Sequence, residues 1–293
     1  MITRRHAILG AGTALLAGQL AFRPAWGRTF EDVMAEIEKS TGGRLGVGLL
    51  DLQTDKTAFH RGDERFPMCS TFKFLLAAAV LAKADAREEN LARRVRFEKA
   101  ELLPHSPMTE QRAGDAAGLT IAQLCEAAVT QSDNTAANLL LASLDGPTGL
   151  TAFARKIGDT ITRLDRTEPD LNDVAPGDER DTTSPRAMAE DMRKILVGDV
   201  LKIGSREQLS TWMRESATGK NRIRASLPMG WSAGDKTGTG PRGTSNDIAI
   251  MSPSGRQPII LTVYLTGATV DQTKQEAAIA TVATAVIAAL GLS

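Results

Sequence analysis

The sequence predicts an α/β fold of the α+β type: a five-stranded antiparallel sheet flanked by N- and C-terminal helices, plus an all-helical domain. Three observations carry this. Strand-like runs occur only near the two ends of the chain, two early and three late, and the middle has helical periodicity. The late strands are joined by turns too short for a crossover, so they pair antiparallel. A sheet split in this way must bring the first and last segments together around the insertion. The chain is therefore expected to divide into an export signal (1–27), a sheet domain (28–65 with 216–293) and a helical domain (66–215).

Residues 1–27 place Arg4 and Arg5 before an apolar segment that ends at Phe22, then small residues around Trp26. This is the pattern of a cleaved export signal, too short and too weakly apolar for a membrane span. The paired arginines suggest the twin-arginine route, with a plain Sec signal as the alternative. A periplasmic location with no membrane attachment of the mature chain is expected.

Phe30, Val33, Met34 and Ile37 recur at helical spacing and Gly42-Gly43 ends the run, so 30–40 reads as an amphipathic helix. Residues 45–52 and 57–61 read as a hairpin. The run 72–82, with Phe72, Phe74, Leu75, Leu76, Val80 and Leu81, is apolar all round and predicts a helix buried at a domain centre. Thr120 caps a further helix, 133–144 forms another, and Ser184-Pro185 is an N-cap followed by proline at the first helical position. Ser205-x-x-Gln208 reads as a capping box before Leu209. Residues 231–237, 247–251 and 258–267 are the late strands, and 271–290 is the closing helix. Residues 163–181 fit neither period. They keep Leu164, Leu171 and Val174 for burial and Arg166 and Asp181 to pin the ends, as in a compact Ω-loop.

The formal charge of the 293-residue chain is +0, which gives no electrostatic footprint for nucleic acid. His6, His60 and His105 are scattered, and no Cys/His/acid group has metal spacing, so neither metal nor cofactor is expected. Cys69 and Cys125 could pair in an oxidising compartment. A cross-link beside Ser70 would constrain that position, and two free thiols are expected.

Ser70 and Lys73 are the polar exceptions at the start of the buried helix. Spaced i, i+3, they share one face. A nucleophile beside its proton acceptor explains the pair, but taken alone it reads rather as an N-cap and a solvent-reaching lysine. Three later pieces bear on the choice: Ser132-Asp133-Asn134, Glu168-Pro169-Asp170-Leu171-Asn172 and Lys236-Thr237-Gly238. With Ser70-x-x-Lys73, in this order, the set resembles that of the class A serine β-lactamases over nearly the whole mature length.

That resemblance implies a β-lactamase/transpeptidase-like fold, a monomer, and hydrolysis of penicillins and cephalosporins. Ser70 would be the nucleophile, with Lys73 or a Glu168-held water as its base, and Ser132 would pass a proton to the leaving nitrogen. Glu168 and Asn172 would hold the deacylating water, and the Glu168–Pro169 peptide would be cis. Backbone N–H groups of Ser70 and Thr239 would face the carbonyl oxygen. Lys236, Thr237, Gly238 and Thr239 would line the strand that meets the substrate carboxylate, and Asn134 would meet its acyl side chain. The position of one possible carboxylate-binding arginine reads Ser245. Arg222 matches the other, against the plainer reading of a surface salt bridge. His105 stands at the cleft rim where many members carry an aromatic. The second cysteine that pairs with Cys69 in some carbapenem-hydrolysing relatives is Gly240 here, and Thr239 is compatible with cephalosporin and carbapenem turnover. A D-Ala-D-Ala peptidase and a non-catalytic β-lactam sensor are the alternatives. The first would lack a deacylating glutamate and the second would be expected to carry a membrane anchor.

Overall fold

Apolar side chains alternate along the strands and so split into two buried clusters, one on each face of a single sheet. The computed structural model describes residues 29–292, so the export signal expected over 1–27 lies outside the described residues. In chain order the helices and strands are α1 (Phe30–Thr41), β1 (Arg44–Asp51), β2 (Lys56–His60), β3 (Phe66–Pro67), α2 (Phe72–Asp85), β4 (Arg94–Val95), β5 (Leu119–Thr120) and α3 (Ile121–Thr130). There follow α4 (Asn134–Ala142), α5 (Pro147–Lys156), β6 (Thr182–Thr183), α6 (Pro185–Leu196), α7 (Ile203–Arg214), β7 (Ser232–Gly240), β8 (Thr244–Ser252), β9 (Ile259–Thr266) and α8 (Gln272–Ala289).

The sheet has the order β2-β1-β9-β8-β7, antiparallel throughout, so the two early and three late strands join at β1–β9. Leu45, Val47 and Leu49 of β1 and Leu261 and Val263 of β9 point to one face, where α1 and α8 cover them. Thr29 and Asp32 close α1 with a reciprocal capping box, and Gly42 ends it at φ +70°, a conformation glycine adopts without Cβ strain. Leu50, Ile248, Ile260 and Tyr264 point to the other face, against the helices that lie between β3 and β7 in the chain.

At the centre of that second cluster is α2. All ten residues from Phe72 to Leu81 are buried, Lys73 included. Each fully buried leucine or phenylalanine there contributes on the order of 1.5–3 kcal/mol of transfer free energy. Ser70 sits one turn earlier, in a short 3₁₀ turn, Cys69–Thr71, that runs straight into the helix. It is not the cap of α2, whose N-cap is Thr71; the Thr71 hydroxyl makes no capping bond and donates instead to Met68 O at 2.8 Å.

One expectation fails. The helix after residue 200 begins at Ile203, with Lys202 at its N-cap, so Ser205 lies inside the first turn and makes no capping box. The acceptor comes from elsewhere in the fold. Asp85, the last residue of α2, accepts the Lys202 amide at 2.7 Å and the Ser205 hydroxyl at 2.7 Å. The Ω-loop is as expected: Leu164, Leu171 and Val174 are buried and Arg166 Nε donates to Asp181 Oδ2 at 2.6 Å. Asp181 O also accepts the Met68 amide at 2.9 Å, tying the loop to the segment just before Ser70.

Candidate active site

Edge strand β7 and the Ser70 turn approach so closely that a Cβ on Gly238 would lie 2.7 Å from Met68 O and 3.1 Å from Cys69 Cβ. Glycine is required there by contact, and the backbone of Thr239 comes to the same side as the first turn of α2. As an edge, β7 leaves backbone N–H groups without a strand partner. A cleft of about 400 Å³ opens between them, lined by Ser70, His105, Ser132, Asn134, Asn172, Arg222, Thr237 and Thr239 among others.

Beneath this surface lie the charged groups. Lys73 Nζ is fully buried and contacts Glu168 Oε1 at 2.9 Å, Ser132 O at 2.8 Å and Asn134 Oδ1 at 2.6 Å. Ser70 Oγ donates to the same Glu168 oxygen at 3.4 Å. Ser132 Oγ sits between two amines, 3.5 Å from Lys73 Nζ and 3.1 Å from Lys236 Nζ. Desolvation pushes the Lys73 amine below its ordinary range and outweighs the attraction of Glu168. Lys236 is pushed down to about 7, first by burial and then by the charge of Lys73.

Glu168 is held from both the Ω-loop and α4. Asn172 Nδ2 donates to Glu168 Oε2 at 2.6 Å, and Asn138 brackets the residue, accepting its amide at 3.0 Å and donating to its carbonyl at 2.9 Å. The Glu168–Pro169 peptide is cis. Asp133 accepts from the Met108 and Thr109 amides and the Thr109 hydroxyl, so it ties a loop to the N-terminus of α4. Cys69, His105 and Ser132 each hold left-handed backbone, with φ of +44°, +57° and +59°. Such conformations persist where surrounding contacts over-determine them.

Arg222 is buried, and the surface salt-bridge reading of it is set aside. Nη1 donates to Gly238 O at 2.8 Å and Asn246 O at 2.6 Å, and Nη2 to Thr239 Oγ1 at 2.7 Å. Glu276, from the first turns of α8, contacts Nη2 at 3.2 Å. Sequence reasoning did not find Glu276, Thr218 or Asn138. Thr218 bonds Thr237 through paired hydroxyls at 2.6 Å. Its partner lies 19 residues away in the chain and that of Glu276 lies 54 away, so no local spacing announces either. Among the described residues no group of side chains could hold a metal ion. Cys69 and Cys125 are buried free thiols, and burial pushes both well above the ordinary thiol range, so neither is a nucleophile at neutral pH.

The model of the β-lactamase enzyme family matches residues 29–290. This chain belongs to the β-lactamase family. The β-lactamase OXY-2 of Klebsiella oxytoca is 46% identical over 265 residues, 90% of each chain. The carbapenem-hydrolyzing β-lactamase KPC, also from Klebsiella oxytoca, is 46% identical over 260 residues, 88% of each. A solved ancestral (GNCA) class A β-lactamase superposes with a TM-score of 0.86 at 56% identity, covering 88% of this chain and 98% of that one. With the family set, its fold and its class A relationship agree with the expectations from sequence. In this β-lactamase the strand position paired with Thr239 is Ser245, whose hydroxyl donates to Gln275 at 2.7 Å, and the cation at that end of the cleft is Arg222.

Proposed function

We propose that this protein hydrolyses the lactam amide of penicillins and cephalosporins through a Ser70 acyl-enzyme, with carbapenems as a further class compatible with Thr239. The observation that carries the reading is one carboxylate, Glu168, reached by the Ser70 hydroxyl and the Lys73 amine on one oxygen and by Asn172 on the other. In acylation Ser70 Oγ attacks the carbonyl carbon and its proton passes toward Glu168 and Lys73. The backbone N–H groups of Ser70 and Thr239 meet the developing oxyanion. The Lys73–Ser132 pair returns a proton to the lactam nitrogen as its bond to carbon breaks. In deacylation Glu168 takes a proton from a water aligned by Asn172, whose Oδ1 is a buried acceptor lacking a protein donor. That water attacks the ester, and the proton returns to Ser70.

The substrate carboxylate is assigned to Arg222, Lys236, Thr237 and Thr239, the acyl side chain to Asn134, and His105 to the rim. The cleft is read as the boundary between the helical domain, 66–215, and the sheet domain. Export to the periplasm on a signal cleaved near Gly27, and a monomeric mature enzyme, complete the proposal. Glu168 argues against a D-Ala-D-Ala peptidase, which would lack a deacylating glutamate. Purified mature protein is expected to turn over nitrocefin and ampicillin many times per molecule. Labelling that stops at one equivalent would contradict hydrolysis and favour a sensor.

A further inference from the structure

A second cavity of about 300 Å³ lies between the Ω-loop and the end of the sheet, and it shares no lining residue with the Ser70 cleft. Its volume is at the lower end of those that hold small ligands, about 300–1,000 Å³. Arg44, Arg65 and Arg242 line it, with Val174 and Pro176 as apolar wall. Hydrogen bonds engage a single nitrogen of each guanidinium. Arg44 uses Nη2 on Glu64 at 2.8 Å and Arg65 O at 3.2 Å, Arg65 uses Nη1 on Ile161 O at 2.9 Å and Thr182 Oγ1 at 3.1 Å with its Nε 3.9 Å from the exposed Glu179, and Arg242 uses Nε on Asp173 at 2.8 Å. A guanidinium has five N–H donors, so donors remain at each of the three. The one lining carboxylate, Asp178, is already held by Arg180 at 2.7 Å. The pairs Arg44–Glu64 and Arg242–Asp173 are roughly half exposed on both sides. Such pairs are worth about 0–1 kcal/mol and yield to a better-placed anion.

We propose that this cavity binds a small organic carboxylate, its anion among the three arginines and its apolar body against Val174 and Pro176. Occupancy is felt in the cleft, because Arg242 holds Asp173, the residue after Asn172. A ligand that draws Arg242 away loosens that hold and slows deacylation. The binding is independent of the catalytic reading, whereas the kinetic consequence rests on it.

The test uses benzoate as probe on the mature protein, read by amide chemical shifts and by nitrocefin kinetics. Shifts are expected at residues 174–178 and 242–244, with a lower kcat at saturating nitrocefin. Arg242→Gln and Ala175→Glu, the second leaving all three arginines in place, are each expected to weaken binding by about tenfold or more, the scale of one charge-assisted contact. Melting curves confirm that each variant is folded. Arg222→Gln should leave these shifts intact. Shifts confined to the Ser70 cleft, loss of binding in Arg222→Gln, or purely competitive inhibition would overturn the proposal. Equal affinity for inorganic phosphate would overturn the apolar-bodied ligand. Shifts without any nitrocefin turnover would leave the site standing and refute the catalytic reading instead.

Discussion

Lys236 has no exposed surface, and its amine is pushed from the usual 10.5 down to about 7. Its charge is therefore present below about pH 7 and lost as pH rises through that value. For substrates that bind through a carboxylate, kcat/KM is expected to fall between pH 7 and pH 9. Lys236→Arg, which keeps its charge over that range, should flatten this limb of the profile. A second residue-scale prediction concerns Arg222, whose guanidinium is fixed by Gly238 O, Asn246 O and Thr239 Oγ1. Arg222→Ala should raise KM by about 10–100-fold, the loss of a charge-assisted pair worth about 1.5–3 kcal/mol. Unchanged steady-state kinetics would assign the carboxylate to another group. Both residues could be picked out of the sequence by motif, but their burial could not. Burial depends on β8, the 222–226 turn and α8, which lie far apart in the chain and meet only in the fold.

The Ω-loop is the element on which the deacylation half of the account depends. Asp181 anchors it, accepting the Asp165 and Arg166 amides at 2.8 and 2.9 Å and Arg166 Nε at 2.6 Å, with no exposure of its side chain. Asp181→Ala strands Arg166 and should cost about 3–5 kcal/mol, seen as a lower melting temperature. Because Glu168 and Asn172 ride on the loop, deacylation should slow more than acylation in pre-steady-state kinetics. Equal slowing of both steps would show that the loop acts only as scaffold. At this scale the sequence was informative where the signal is local. Residues 72–82 were legible as a buried helix because an all-apolar run has no other comfortable place. Ser184-Pro185 was legible as a helix start, with Ser184 accepting the Ala187 amide at 3.2 Å. Ser205-x-x-Gln208 misled, because Asp85 caps that helix from another element and no window of sequence contains both.

For the whole molecule, buried acids give stability a pH dependence, and Asp191 is one of them. Burial, followed by the charge of Asp159, raises the Asp191 carboxyl to about 9. Unfolded, the same group titrates near its ordinary value, about 3.9. Between those values the folded state holds the extra proton, so stability falls as pH rises from about 4 toward 9. Asp191→Asn should remove the Asp191 share of that slope, gaining more in melting temperature at pH 8 than at pH 5. A constant offset at both pH values would place the effect in packing alone. The antiparallel five-stranded sheet was legible from two early and three late strand runs. The strand order β2-β1-β9-β8-β7 follows because β1 and β9 share apolar faces that α1 and α8 cover. The catalytic constellation was legible only because four short motifs occur together, and none of them alone distinguishes a nucleophile from an N-cap. The central claim is that Ser70 and Glu168 act in sequence on one substrate. Intact-mass spectrometry of Glu168→Ala mixed with ampicillin tests it most directly: one equivalent of stable acyl adduct on Ser70 is predicted, while the parent protein shows turnover and no lasting adduct. Normal turnover by Glu168→Ala, or an adduct that survives Ser70→Ala, would contradict the account.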